Sequence, residues 1–440
     1  MESDPSHAPA GPRGIVDKSI WRRLCRRCYA LARHGPAGWH PQHRSRPRTS
    51  PRSGRGTGRP SPEEQGVNSW LAEIRYGIAE LAPSRLPYPK FALALLLGFA
   101  GGMIFSTLRL PLPWMLGAMM FCTVAALTRA PVAAPPVIRP PMSAVIGVML
   151  GSGFNPAVIA QIPQWLPTIL GLIAFMTACG LTVVWYFRHV GGYDRTTAFF
   201  SGMPGGLVEM ITYGEERGGD GRVIALVHSA RILMIVMTLP FAIQWIEGVS
   251  LNRTAGAVSM FNAPLVSEAW LVGCGLAGAL FGHLLNLPAK NLLGPMLVSA
   301  SVHLMGWSDF KPPFEIVNAA QLILGVVIGC RFAGTASRTV MRILALSVGS
   351  TVILLFWMTV FAFIVAHVSG FGVVTLALAY SPGGLAEMSL IAVALHAEVA
   401  FVAAHHIIRV FLIMISAPLV FRLANRFLGV EQRPARQPAE

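Results

Sequence analysis

The sequence is written twice. Slid against itself by about 178 residues, LPLPWMLGAM (Leu110–Met119) meets LPAKNLLGPM (Leu287–Met296), and IGVMLGSGF (Ile146–Phe154) meets LGVVIGCRF (Leu324–Phe332). Pro204, Gly205, Gly206, Glu209 and Met210 fall on Pro382, Gly383, Gly384, Glu387 and Met388, while Asp220 meets Glu398, His228 meets His406, Arg231 meets Arg409 and Pro240 meets Pro418. Apolar periodicity alone would not make polar residues recur in register, so the fold must be one that two copies of a single unit can build together.

The unit is a membrane unit. With 53% hydrophobic and 12% charged residues the chain lies outside the range of ordinary soluble domains. Ten apolar stretches serve as candidate spans. In the first copy they are Phe91–Leu108, Trp114–Leu127, Ser143–Phe154, Leu166–Phe187 and Val223–Ile246. In the second they are Trp270–Leu287, Leu292–Met305, Val317–Phe332, Ile343–Val368 and Val399–Leu423. The organisation predicted is a basic tail over 1–88, a membrane repeat over 89–250, a linker over 251–266, a second repeat over 267–427 and a tail over 428–440.

Of the formal net charge of +15, ten units fall within residues 1–60, in runs such as WRRLCRRC. A segment so rich in Arg, Pro, Ser and Gly cannot bury a core and is expected to be a solvated, disordered tail. One reading is that the working protein begins near Val67. No apolar run follows Arg22–Arg23, so a cleaved signal is not expected. The Cys25–Cys28 pair has no second pair to complete a zinc site, and Cys122, Cys179, Cys274 and Cys330 are expected to be small apolar fillers.

Basic residues in short loops mark the cytoplasmic side. The loop after the third span carries no charge in the first copy but holds Arg331, Arg338 and Arg342 in the second. The loop after the fourth span carries Arg188 and Arg195 in the first copy and nothing charged at Ser369–Gly372 in the second. The copies are therefore expected to face opposite ways. Inversion needs an odd number of crossings per copy. Each PGG segment is then expected to be a re-entrant hairpin, which gives ten crossings, two hairpins and both termini in the cytoplasm. Arg422, Arg426, Arg433 and Arg436 after the last span agree. The fold class expected is an all-α polytopic membrane protein of two inverted repeats, each with five transmembrane helices and one broken-helix hairpin.

Irregular backbone at membrane depth survives only where protein or a water-filled cavity surrounds it. Proline lacks the amide hydrogen and glycine admits unusual dihedrals, so Met203–Gly206 and Ser381–Gly384 suit hairpin tips, with Pro204 and Pro382 at the breaks. A half-helix restarting after each tip would point free amide groups toward the membrane centre, where they favour an anion or a polar group.

Arg231 and Arg409 lie deep in their spans, about nine and eleven residues from the nearest polar boundary, or about 14–16 Å of helical rise. A charge there costs roughly 2.5–3.5 kcal/mol even on the lenient insertion scale. Glu209 and Glu387 are the expected ion-pair partners. His228 and His406 precede each arginine by one turn, on the same helix face. Two readings follow: a buried ion pair that only locks hairpin to helix, or a midplane site in which Arg231, Arg409 and the backbone of Gly205, Gly206, Gly383 and Gly384 hold a solute while Glu209, Glu387, His228 or His406 takes a coupling proton. His283, His303, His367, His396 and His405 lack a repeated partner and are expected to be satisfied interior or interfacial groups. The glycines of the spans are expected to permit close helix packing.

With FFSGMPGGLVEM…HSARILMIVMTLPF and LAYSPGGLAEM…HHIIRVFLIMISAPLVF, the chain resembles the AbrB-type bacterial membrane family, also called the AbrB duplication family, over roughly Phe91–Leu428. The resemblance implies a multi-pass bacterial inner-membrane protein. Family labels range over ammonia monooxygenase, regulator of aidB expression and transporter-like. The resemblance does not extend to the small β-rich DNA-binding regulator of similar name, and the long Arg-rich tail departs from the compact family pattern.

We read the chain as a secondary transporter, proton-coupled, of an anionic or polar small solute, and not as an enzyme. The alternative is a membrane-embedded regulator of gene expression. An oxygenase ranks third because copper or iron needs a convergent ligand set, and His396, Glu398, His405 and His406 form a dense group in only one copy. No cofactor or metal is expected. The expected partners are the lipid bilayer and the solute, with no specific nucleic acid. A homo-oligomer is compatible with this reading.

Overall fold

The computed structural model describes residues 67–82, 87–248, 258–262, 264–334, 337–395 and 397–427. The expectations for 1–66, for most of the linker, for His396 and for the tail at 428–440 lie outside these residues. Among the described residues every regular element is a helix. A short first helix, α1 (Val67–Glu80), precedes the first copy: α2 (Tyr88–Thr107), α3 (Pro113–Leu127), α4 (Arg139–Gly151), the one-turn α5 (Pro156–Gln161), α6 (Leu166–His189), α7 (Arg195–Gly202), α8 (Leu207–Glu216) and α9 (Gly221–Glu247). The second copy repeats the order without the short insert: α10 (Leu265–Leu284), α11 (Lys290–Leu304), α12 (Phe314–Gly329), α13 (Ser337–Ser369), α14 (Val373–Tyr380), α15 (Leu385–Ala394) and α16 (Val399–Phe427).

The duplication extends to backbone angles. Arg109 and Asn286 adopt φ of 55° and 49°, and Leu112 and Ala289, just before α3 and α11, adopt 41° and 47°. Side chains other than glycine seldom occupy this left-handed region, so its recurrence at equivalent positions shows that both copies turn the same corner the same way.

The two copies interlock through their short helices. A Cβ on Gly147 or Gly151 of α4 would run into the carbonyls of Leu292 and Met296 on α11. At the equivalent place, a Cβ on Gly325 or Gly329 of α12 would run into the carbonyls of Met115 and Met119 on α3. Each copy's third helix thus lies backbone to backbone against the other copy's second. Within a copy, Gly101 meets Gly117 and Gly278 meets Gly294 in the same manner. In a lipid-like surround, where burial of apolar surface supplies little association energy, close backbone packing of this kind holds helices together. Helices α6 and α13 also pack on one another across the copies, with Tyr186 against Gly349 and Val365 against Gly171.

Seven helices are long and apolar enough to cross a membrane, on α2, α5–α6, α9, α10, α12, α13 and α16. The spans expected at Trp114–Leu127, Ser143–Phe154 and Leu292–Met305 fall on α3, α4 and α11, of 15, 13 and 15 residues. At about 20–23 Å these are shorter than a hydrocarbon core of about 30 Å. They tolerate this because they are wrapped by other helices: ten of the 15 residues of α3 are buried. The long helices divide by surround. Only 22% of the apolar window of α10 and 28% of that of α2 are buried, against 67% for α9. The first two therefore turn Leu276, Val272, Leu96 and Phe99 outward, an apolar belt too extensive for a protein facing water, while α9 carries its polar residues inside.

Gly147→Leu and Gly325→Leu, made singly, are expected to lower stability by roughly 2 kcal/mol or more, since the obstacle is backbone and cannot move aside. Gly273→Leu, where a Cβ meets open space, is expected to be neutral. The melting midpoint of the detergent-purified variants checks this, and equal midpoints for all three would refute the crossed packing.

Candidate functional site

Both chain breaks fall where proline and glycine put them. Helix α7 ends at Gly202 and α8 begins at Leu207. Between them Met203 (φ −66°, ψ 130°) and Gly206 (φ −65°, ψ 138°) are extended. Helix α14 ends at Tyr380 and α15 begins at Leu385, with Ser381 (φ −52°, ψ 129°) and Gly384 (φ −76°, ψ 151°) equally extended. Pro204 and Pro382 contribute no amide hydrogen to a continuing helix.

The first break reverses the chain. Phe200, before the tip, packs beside Gly214, after it. The Asp220 amide donates to Thr197 Oγ1 at 2.9 Å, and the Arg217 guanidinium lies 5.9 Å from the Phe200 ring. At the second hairpin Phe371, ahead of α14, stacks on Phe401 of α16 at 4.6 Å. Segments α7–α8 and α14–α15 are thus hairpins whose bases meet the starts of α9 and α16. Met210 and Met388 fold over the tips, against Gly205 and Gly383.

A helix end leaves backbone groups without partners, and here Arg231 and Arg409 supply them. Arg231 Nη1 donates to the Met203 carbonyl at 3.3 Å, and its Nη2 donates to His228 Nδ1 at 2.8 Å. Arg409 Nη1 donates to the equivalent carbonyl, that of Ser381, and its Nη2 to the Gly383 carbonyl at 2.9 Å. Each guanidinium caps the carbonyl end of a half-helix, where the macrodipole favours a cation. The two arginines are 3% and 4% exposed. Gly205 at the first tip presses on Ile413, one turn beyond Arg409, so the first tip packs against the helix that carries the second arginine. The structure thus brings Arg231, His228, Pro204, Gly205 and Gly206 together, and likewise Arg409, His406, Pro382, Gly383 and Gly384.

The hydrogen bonds fix the histidine tautomers. A guanidinium only donates and a carbonyl only accepts. His228, placed between Arg231 and the Phe200 carbonyl (Nε2 at 2.8 Å), therefore accepts at Nδ1 and carries its proton on Nε2. His406 likewise donates from Nε2 to the Leu378 carbonyl at 3.0 Å, but its buried Nδ1 has no partner because Arg409 has turned to the tip. One copy holds its arginine on the histidine, the other on the glycine carbonyl.

The expected ion pairs do not form. Ion pairs among the described residues join Arg217 to Glu216, and Glu73 to His283 and Lys290. Neither Glu209 with Arg231 nor Glu387 with Arg409 is among them. The reason is helix polarity: the glutamates stand at the third position of α8 and α15, and their carboxylates fold back over Gly206 and Gly384 at the amide ends. There a carboxylate meets free N–H groups. Each charge has taken the helix end of opposite sign in preference to the other charge.

Two further placements differ from, or add to, the sequence reading. Arg331, expected in a basic loop, sits on the turn after α12 and reaches inward, donating from Nη1 to Ser229 Oγ on α9 at 3.1 Å. The counterparts of Arg331, Arg338 and Arg342 are Gly153, Ala160 and Gln164, all uncharged, so Arg331 is marked out from the other two only by falling inside the block that matches Ile146–Phe154. His405 is fully buried as expected, bound to Thr168 Oγ1 and the Phe401 carbonyl at 2.8 Å each. His303 is likewise satisfied, by the Ser299 and Phe310 carbonyls. The four cysteines among the described residues are buried and free. Among the described residues no three His, Cys, Asp or Glu side chains converge as metal ligands.

The fold and site define a class: a duplicated, all-helical membrane protein with two broken-helix hairpins, each held at its tip by a buried arginine. Residues 114–425 match the family model described as "Transition state regulatory protein AbrB", and the chain belongs to this AbrB family. It is similar to the Bacillus subtilis (strain 168) protein named "Uncharacterized protein YhjN", 28% identical over 75% of this chain and 92% of the relative. It is also similar to the Escherichia coli (strain K12) protein named "Putative regulator AbrB", 21% identical over 73% of this chain and 93% of the relative. None of these names indicates an enzyme.

Arg409→Met removes both carbonyl bonds at the second tip. With about 1–3 kcal/mol lost for each buried carbonyl left unpaired, amide exchange over residues 378–388 is expected to rise about ten-fold or more while α2 and α3 stay unchanged. Native exchange rates there, read by mass spectrometry, would remove the capping role.

Proposed function

We propose that the chain is a secondary transporter that binds a small anionic or polar solute between its two hairpin tips and is driven by protons, with the two copies inverted in the bacterial inner membrane and both termini in the cytoplasm. The observation that carries this reading is the pair of buried guanidinium groups, one at each hairpin tip, whose hydrogen bonds run to neutral partners. Two like charges in a poorly screened interior repel, and a negative solute between them relieves that repulsion. The unpartnered buried hydroxyls of Ser201 and Ser381 and the free Nε of both arginines are donors such a solute could use.

Protons enter through the histidines. His228 accepts from Arg231 only while Nδ1 carries no proton. Protonation there ends the bond and frees the guanidinium for the Gly205 carbonyl, the arrangement that Arg409 already holds with Gly383. A carboxylate at Glu209 or Glu387 offers a second proton site at each tip. The names of the relatives support a regulatory reading, and a transporter that changes an intracellular solute alters expression without touching DNA. Deleting residues 1–60 separates direct from indirect control, because a regulator acting through the basic tail loses its effect and a transporter does not.

The test is uptake into proteoliposomes across a panel of organic acids, amines and ammonium under an imposed pH gradient. Arg231→Ala and Glu387→Gln are expected to abolish uptake of the transported solute while the protein stays monodisperse. Native uptake by either variant would sink the site assignment, and no uptake of any solute by the native protein would sink the transporter reading.

A further inference from the structure

The symmetric groups of the site sum to zero charge: two arginines and two glutamates, one of each per copy. Arg331 breaks that balance. It lies on the turn after α12 and donates to Ser229 Oγ, and Ser229 is 4% exposed on α9 between His228 and Arg231. The turn that carries Arg331 packs on α9, and α15, which carries Glu387, packs on α4, whose exposed start is Arg139. The equivalent position in the first copy is Gly153, which rests against Val399 and offers no charge. Arg139 itself is matched by Val317. Arg139 at the surface and Arg331 within thus carry two positive charges that the equivalent positions, Val317 and Gly153, lack.

We propose that Arg331 is a third, unduplicated solute-binding residue, which gives the site a net charge of +1 and selects a small anion over a zwitterion or a neutral solute. This rests on the transporter reading above and narrows its substrate class. Arg331 holds the anion on the α12 side of the tips and, with Arg139, draws it in from that side of the membrane. The guanidinium's planar fork of donors suits a carboxylate.

The experiment compares native protein with Arg331→Gln, Arg331→Lys and Arg338→Gln in lipid nanodiscs. Arg338 is exposed on α13 and serves as the control for a lost surface charge. Sodium acetate is the monoanionic probe, glycine the zwitterionic one and choline chloride the cationic one, with binding read as thermal stabilisation against concentration. Acetate is expected to stabilise the native protein and the Arg338 variant alike, to require about ten-fold more for Arg331→Gln, and to recover to within a few-fold in Arg331→Lys, with all four proteins melting alike in the absence of probe. Equal acetate response in native protein and Arg331→Gln overturns the proposal. So does a native protein that responds to glycine or choline but not to acetate, an outcome that leaves the transporter reading standing. Proteoliposome uptake by the native protein, measured in parallel, reports on the transporter reading separately.

Discussion

The structure depends on a guanidinium donating to the carbonyl end of a broken helix. A chain that interrupts a helix in an apolar surround exposes carbonyl and amide groups that water cannot reach, and each one left unpaired is costly. Arg231 and Arg409 meet that need at the carbonyl ends of α7 and α14, and Glu209 and Glu387 lie over the amide ends of α8 and α15. Without the arginines the breaks could not be kept, and without the breaks the arginines would have nothing in a helix interior to bind. The remaining features follow. Arg231 must ride on α9, the most enclosed of the long helices, and the glycine crossings of α3, α4, α11 and α12 bring the copies close enough to enclose it.

Much of this was legible in the sequence because duplication turns a weak signal into a strong one. A lone Pro-Gly-Gly reads as a surface turn; the same triplet twice, each followed by glutamate and then by His-x-x-Arg at matching distances, marks a site. Hairpin boundaries, the Arg and His placements and the close-packing glycines could all be read in that way. The ion pairs could not. Proximity along the sequence suggested glutamate with arginine, whereas helix direction, invisible until α7 and α8 are seen as separate helices, sent the two charges to opposite ends. The short helices α3, α4 and α11 fall where spans were expected but are shorter than a bilayer core, which fits their close packing through glycine.

Arg331 was missed because duplication was the guide. A residue with no counterpart is what such a comparison discards, and its basic neighbours Arg338 and Arg342 made a loop the economical reading. Two signals were present. Gly153 and Arg331 fall within a block that otherwise matches closely, and a single charged residue inserted into a conserved-length apolar match is costly to keep without a partner.

The departures from symmetry therefore carry information that the repeats do not. Were the two copies identical, exchanging their conformations would return the same molecule seen from the other side, and the two states would have equal energy. Such a molecule has no preferred direction. Among the differences between the copies, Arg231 leans on His228 while Arg409 leans on Gly383, His405 bonds Thr168 where the first copy has Val227, and Arg331 stands where the first copy has Gly153. On the proposed reading the first difference is the working cycle caught in two positions at once, since either copy can hold either bond. The other two cannot be exchanged by any motion, because they are differences of composition. On the proposed reading such differences of composition, Met203 against Ser381 at the tips among them, set any preferred side of the membrane, and Arg331 is one that carries a charge.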